Sequence, residues 1–193
     1  LGYVFDVALQ VGNQGASDIS AYMMAGDFYY SPKDKIMFVH SEVSKIGIGF
    51  DITSGDDDPG DDDIKWFDNL YYTGHKFRGY MDYFIGSDIP PGLGNLGLMD
   101  IFLRGSLVAG DMGTIDIDIH HFRTMEDHID ASDTTATPGN SKALGQEIDV
   151  TYKSSIQEGL GFQGGISAFF ASDEWRYNVD PSFWIYFMLT AGF

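Results

Sequence analysis

From Ile115 to His120 the chain reads Ile-Asp-Ile-Asp-Ile-His. In an extended strand successive side chains point to opposite faces, so Ile115, Ile117 and Ile119 share one face while Asp116, Asp118 and His120 share the other. The acidic face cannot meet hydrocarbon, where each charge would cost about 2–4 kcal/mol at mid-depth. It must face water or other charges. A strand that is wholly apolar on one side and ionic on the other is what the wall of a lipid-embedded barrel requires, because hydrocarbon then covers the outside without a second layer of protein.

The same period of two recurs along the chain. Leu1 to Val11 sets Tyr3, Phe5, Val7, Leu9 and Val11 against Val4, Asp6, Ala8 and Gln10. In Ser17 to Tyr30 a weaker outer face is read as Ile19, Ala21, Met23 and Ala25. Lys35 to Thr53 reads as one long strand with a slip near Glu42, which a β-bulge explains, followed by Ile46, Ile48, Phe50 and Ile52 alternating with Gly47, Gly49, Asp51 and Thr53. Leu96 to Ala109 points Met99, Ile101, Leu103 and Leu107 outward and Asp100, Phe102, Arg104 and Ser106 inward. Leu144 to Ser154 sets Leu144, Gln146, Ile148, Val150 and Tyr152 against Gly145, Glu147, Asp149, Thr151 and Lys153; Leu160 to Ala171 and Ser182 to Phe193 complete the series. The count is about eight strands joined as neighbouring hairpins, the up-and-down pattern of a transmembrane barrel. Leu1 begins as if already inside a strand, so a mature segment or part of a longer protein is expected.

Connection lengths sort by end. Ser54 to Asn95 loses the period for roughly 40 residues, far beyond an ordinary hairpin connection. Met125 to Ala143 and Ser172 to Pro181 are also long, and they fall at the same end of the strands. The turns near Ser31, Gly110 and Ser155 are short and fall at the other; the brief turn at Gly12, on the long-loop side, is the exception. Barrels of the outer membrane keep long loops outside and short turns on the periplasmic side.

A formal net charge of -18 argues against nucleic acid as a partner, since phosphate binding needs a basic surface. The absence of cysteine excludes disulfides and thiolate metal sites. Aromatics at 15% and 24 glycines suit interfacial girdles and a curved sheet. The inward positions collect as Asp6, Gln10, Asp51, Asp100, Arg104, Asp116, Asp118, His120, Glu147, Asp149 and Lys153, a hydrated acidic wall with Arg104, Lys153 and His120 as counter-charges. The alternative is a plugged interior in which the same groups pair for structure alone.

The long connection carries Trp66, Tyr71, Tyr72, His75, Arg78, Tyr80 and Asp82, which combine stacking surfaces with polar handles suited to sugar rings. Trp66, Tyr72, His75, Arg78 and Asp82 are the candidate constriction residues; for most of the aromatics, packing onto the rim is the favoured role. Asp56 to Asp63 offers hard oxygens to Ca²⁺ but lacks the spacing and terminal Glu of an EF-hand, so a solvated acidic loop is favoured and no cofactor is expected. His120 and His121 point to opposite faces and cannot share one ion. Ser54, Ser106 and Ser167 have no visible pairing with His and an acid, so no enzyme is expected.

The stretch Ser54-Gly-Asp, then Phe67-Asp-Asn-Leu-Tyr-Tyr-Thr-Gly-His75-Lys-Phe-Arg-Gly79-Tyr-Met-Asp82-Tyr-Phe84, resembles the alginate-export family of Gram-negative outer-membrane porins, as do Gln146-Glu-Ile-Asp149 and the terminal phenylalanine. The resemblance implies an outer-membrane barrel in contact with lipid and lipopolysaccharide that passively passes polysaccharide or small hydrophilic solutes. It also implies that the strands present are the carboxy-terminal portion of a larger barrel, completed by N-terminal strands or partner subunits, and an arginine-rich lumen for an anionic polymer. With 11 Lys and Arg against 29 Asp and Glu, this sequence departs from that lining, so a general or cation-preferring channel is equally consistent. The expectation is a single all-β domain over residues 1–193, with a lumen-folded or extracellular loop over 54–95. A soluble or surface-exposed β-sandwich binding carbohydrate or calcium is the rival.

Overall fold

The computed structural model of the chain describes residues 1–34, 36–38, 41–58, 60–69, 78–85, 95–108, 110–128 and 141–192. Its strands are β1 (Gly2–Gln14), β2 (Ser17–Tyr30), β3 (Met37–Phe38), β4 (Ser41–Thr53), β5 (Leu98–Val108), β6 (Thr114–His128), β7 (Ser141–Gln157), β8 (Leu160–Ala171) and β9 (Ser182–Ala191). All lie in one sheet, ordered β1-β2-β4-β5-β6-β7-β8-β9, with the short β3 attached to β4. Every pairing is antiparallel and every long strand lies beside its neighbour in sequence. This is the expected up-and-down architecture, present as a partial barrel. Among the described residues, β1 and β9 are its two edges.

Register carries the alternation from strand to strand. Leu103 lies opposite Ile48 on one side and Ile119 on the other, while Arg104 lies opposite Asp118, which in turn faces Asp149. Ile48, Leu103 and Ile166 are 51%, 54% and 56% exposed although each sits on a strand flanked on both sides. Edge position therefore does not explain their exposure; the whole apolar face is bare. A sandwich would cover it with a second sheet, and among the described residues there is none. No described helix is long and apolar enough to cross a membrane, so any crossing is by strands.

Four details differ from the sequence reading. In β2, Ala21 and Ala25 pair with Gln10 and Asp6 and are buried on the inner face. The outer face is Tyr22, Met24, Phe28 and Tyr30, which lie beside Leu9, Val7, Ile48 and Ile46. Most of β2 is apolar on both faces, but Asp27 shares the face of Ala21 and Ala25 and contacts Arg104, so this one charge and the partner's register both mark the inner side. Second, residues 35–53 are not one strand: β3 folds back on the start of β4, and the ladder with β5 shifts between Val43 and Lys45, close to the predicted slip.

Third, β6 runs on to His128 and β7 extends from Ser141 to Gln157, with His128 opposite Ser141. Above the lipid zone no apolar face is required, so the hydrophobic pattern lapses; the ladder with β7 is interrupted between Arg123 and His128, where Met125 N and Glu126 N donate to Leu96 O. Fourth, Leu144 faces the interior, fully buried, at the register shift between Phe122 and Arg123. The long connections at 54–97, 129–140 and 172–181 leave one end of the sheet, as expected, and the turns at Gly110–Met112 and 158–159 leave the other.

If the bare face meets hydrocarbon, replacing Ile119 by lysine is expected to destabilise the folded protein in phospholipid vesicles by about 2–4 kcal/mol, and leucine to have a much smaller effect. Urea unfolding of the vesicle-embedded protein measures this; equal stability of the two variants would contradict a lipid-facing Ile119.

Candidate functional site

The functional region begins where β4 ends. Ser54 accepts a hydrogen bond from Tyr22 N on β2 (2.9 Å) and donates one to Lys65 O (2.7 Å), clasping the start of the long connection to its later part. Gly55 passes the returning chain so closely that a Cβ would stand 2.1 Å from Leu96 O, and Asp56 N donates to Asn95 O at 2.8 Å. Asp56 is buried, its carboxylate accepting from Asp58 N (3.1 Å) and Lys65 N (3.4 Å). The Ser-Gly-Asp sequence is thus a clasp whose three residues supply an oxygen bridge, a close approach and a loop cap.

From this clasp the connection crosses the inner face of the sheet. Ile64 continues β2's ladder where β4 has ended, with Ser20 N donating to Ile64 O and Ile64 N to Asp18 O. Gln10 on β1 exchanges two hydrogen bonds with the backbone of Asp68, at 2.7 and 2.8 Å. Arg78 is fully buried, 3.1 Å from Asp51 on β4, and also donates to Phe84 O at 3.0 Å. Met81 N donates to Glu147 on β7 at 2.8 Å. Tyr80 stacks on Tyr186 of β9, with ring centroids 5.4 Å apart and planes 10° from parallel.

Phe84 then enters a core with Leu98, Phe122, Leu144, Phe169 and Trp175. Burial of each such side chain contributes about 1.5–3 kcal/mol. One connection therefore touches strands from β1 to β9 on a single face, which makes that face the concave interior.

All nine predicted lumen residues lie on this face, in two populations. Asp51, Asp100, His120, Glu147 and Asp149 are buried. His120 Nδ1 lies 2.7 Å from Asp100, and its ring stacks on Phe122. Arg104, Asp116, Asp118 and Lys153 remain partly exposed and line, with Tyr80 and Ser106, a recess of about 240 Å³. Of its cations, Arg104 contacts Asp27 (2.7 Å) and Asp118 (3.4 Å), Lys153 contacts Asp116 (2.8 Å), and Lys45 lies 5.2 Å over the Tyr29 ring.

The candidate constriction residues divide likewise. Trp66 and Asp82 are half-buried, and Asp82 adopts a left-handed conformation (φ 54°) in the turn. Arg78 has no exposed surface through which to meet a solute. Tyr72 and His75 lie outside the described residues, as does Tyr71. The inner aromatic cluster was missed by sequence reasoning, although Phe102, Phe122 and Phe169 interrupt the polar inner alternation and could have signalled it.

In the acidic stretch Asp56 to Asp63, carboxylates turn onto their own backbone, with Asp58 accepting from Gly60 N and Asp61 from Asp63 N. Lys65 lies 2.7 Å from Asp57 and 3.3 Å from Asp61. The hydrogen bond to Asp57 raises the Lys65 ammonium above the usual lysine range and holds the Asp57 carboxyl below its ordinary value. Among the described residues no three acidic or histidine side chains are grouped to hold a metal ion.

A family model described as Alginate export matches residues 1–182. Comparisons with curated proteins and with solved structures give no match.

Removing the guanidinium by Arg78→Ala leaves Asp51 buried without its cation and is expected to cost about 3–5 kcal/mol. Lys65→Ala, at an exposed pair, should cost no more than about 1 kcal/mol. Denaturant unfolding of the two variants in detergent micelles checks the contrast, and an Arg78→Ala protein as stable as the parent would contradict it.

Proposed function

Because the chain belongs to the alginate-export family, a Gram-negative outer-membrane family of transport channels rather than enzymes, we propose that it forms wall and constriction of an outer-membrane channel for hydrophilic solutes. The observation that carries this reading is the connection at 54–97, which leaves the top of β4 and is held across a polar, concave face instead of projecting from it. Lipid and lipopolysaccharide surround the apolar face, and strands beyond β1 and β9 complete the wall.

The wall favours neutral and cationic solutes over polyanions. A polyanion needs cations free to exchange their partners for its own charges. Here Arg78, Arg104 and Lys153 are each engaged by aspartates, and Lys45 lies 5.2 Å over the Tyr29 ring. Polysaccharide remains within the proposed solute class, but alginate itself fits this lining poorly.

In planar bilayers under a salt gradient, the full-length protein should conduct with a reversal potential on the cation-preferring side. Deleting residues 56–82 should raise its conductance several-fold. Absence of any conductance would refute the channel reading, an anion preference would refute the proposed selectivity, and unchanged conductance after deletion would show that the connection does not constrict the pore.

A further inference from the structure

Glu147 stands at the middle of the inner wall on β7, fully buried, with Asp149 two residues further along the same face. Glu147 Oε2 and both oxygens of Asp149 take no hydrogen bond among the described residues. Two carboxyl groups crowded in a dry site are costly, as is each buried oxygen without a donor, and the nearest counter-group, His120 Nε2, lies 3.8 Å from Asp149. The crossing connection brings a backbone donor to Glu147, where Met81 N lies 2.8 Å from Oε1.

The turn is shaped to this carboxylate. A Cβ at position 79 would lie 2.4 Å from Glu147 Oε1 and 2.6 Å from its carboxyl carbon, and Gly79 also has φ +78°. Only glycine meets both conditions without displacing one partner. Arg78 on Asp51 fixes the near end of the turn to β4, and the Tyr80 ring on Tyr186 fixes its flank to β9. Tyr186 is itself held, its hydroxyl accepting from Gln163 at 2.7 Å and sharing a hydrogen bond with Thr151 at 3.2 Å.

We propose that Glu147 is the positioning residue that seats the 78–84 turn, making the constriction a fixed partition latched to the far wall instead of a freely moving loop. This rests on the channel reading for its consequence, but the seating itself is a structural claim. The carboxylate and the turn are mutually dependent: the backbone N–H satisfies a buried oxygen that would otherwise stand bare beside Asp149, and the oxygen holds the turn across the lumen. Glu147 therefore acts on the solute path through the loop and touches no solute.

The sequence contains no cysteine, so Met81→Cys introduces a single thiol into it while preserving the backbone N–H. In the full-length protein on this background, Glu147→Ala should raise the rate of labelling by a membrane-impermeant maleimide at least about tenfold, equivalent to about 1.4 kcal/mol of lost seating. Conductance should rise in parallel. Glu147→Gln keeps an acceptor for the Met81 N–H and should label and conduct like the parent.

Gly79→Ala leaves the carboxylate intact but pushes the turn off it, and should reproduce Glu147→Ala even if that variant folds poorly; heat-dependent gel mobility identifies intact barrels. Parental labelling in Glu147→Ala or in Gly79→Ala would overturn the proposal, and so would a Glu147→Gln protein that behaves like the alanine variant. A protein that carries no current yet shows the labelling pattern would remove the channel reading and leave the latch standing.

Discussion

The ion pair between Arg78 and Asp51 is the contact on which the interior depends. Neither side chain has appreciable exposure, so the guanidinium and the carboxylate have exchanged water almost entirely for each other and for nearby carbonyl and amide groups. Breaking such a pair leaves a bare charge in a dry site, which is far more costly than the pair's own net contribution. Arg78 can stay there only if the connection lies flat on the inner face, and the connection lies flat only if the strands beneath present Asp51, Glu147 and Tyr186 in register. Sheet pairing, loop path and buried charge thus stand or fall together.

The same constraint explains the division of the inner wall. Beneath the turn the carboxylates are buried, Asp51 against Arg78, Asp100 against His120 and Glu147 against Met81 N. Away from it, Arg104, Asp116, Asp118 and Lys153 keep contact with an open recess while satisfying one another. An arginine-lined lumen for a polyanion would need the opposite arrangement, with cations in excess and unengaged. The family supplies the architecture of an export channel; these side chains argue for a different charge preference within it.

Much of the sheet was legible from residues because lipid on one side and charge on the other leave no freedom: Ile115 to His120 could face only one way. Where most of both faces is apolar, as in Ser17 to Tyr30, Asp27 and the register with Gln10 and Asp6 settle the orientation. Where neither face meets lipid, as between Met125 and His128, the strand runs on without a hydrophobic signature, its ladder with β7 interrupted until His128 meets Ser141. The ionic residues at 51, 100, 104, 116, 118, 120, 147, 149 and 153 were placed on the inner face by the same alternation, but which of them would be buried was not readable. That depends on a connection whose anchors are distant in sequence, such as Arg78 with Asp51 and Met81 with Glu147. No local pattern marks those pairs, and Arg78 reads as a solute contact until its partner is known.

The central claim is that one face of this sheet meets lipid while the other meets an aqueous lumen, and β6 tests it within a few residues. Single cysteines at Asp116, Ile117, Asp118 and Ile119 of the membrane-embedded full-length protein can be probed with a water-soluble thiol reagent and with a lipid-soluble one. The account predicts that the water-soluble reagent labels Asp116→Cys and Asp118→Cys, and that only the lipid-soluble reagent labels Ile117→Cys and Ile119→Cys. Water-soluble labelling at all four positions, or on the isoleucine side alone, would contradict it.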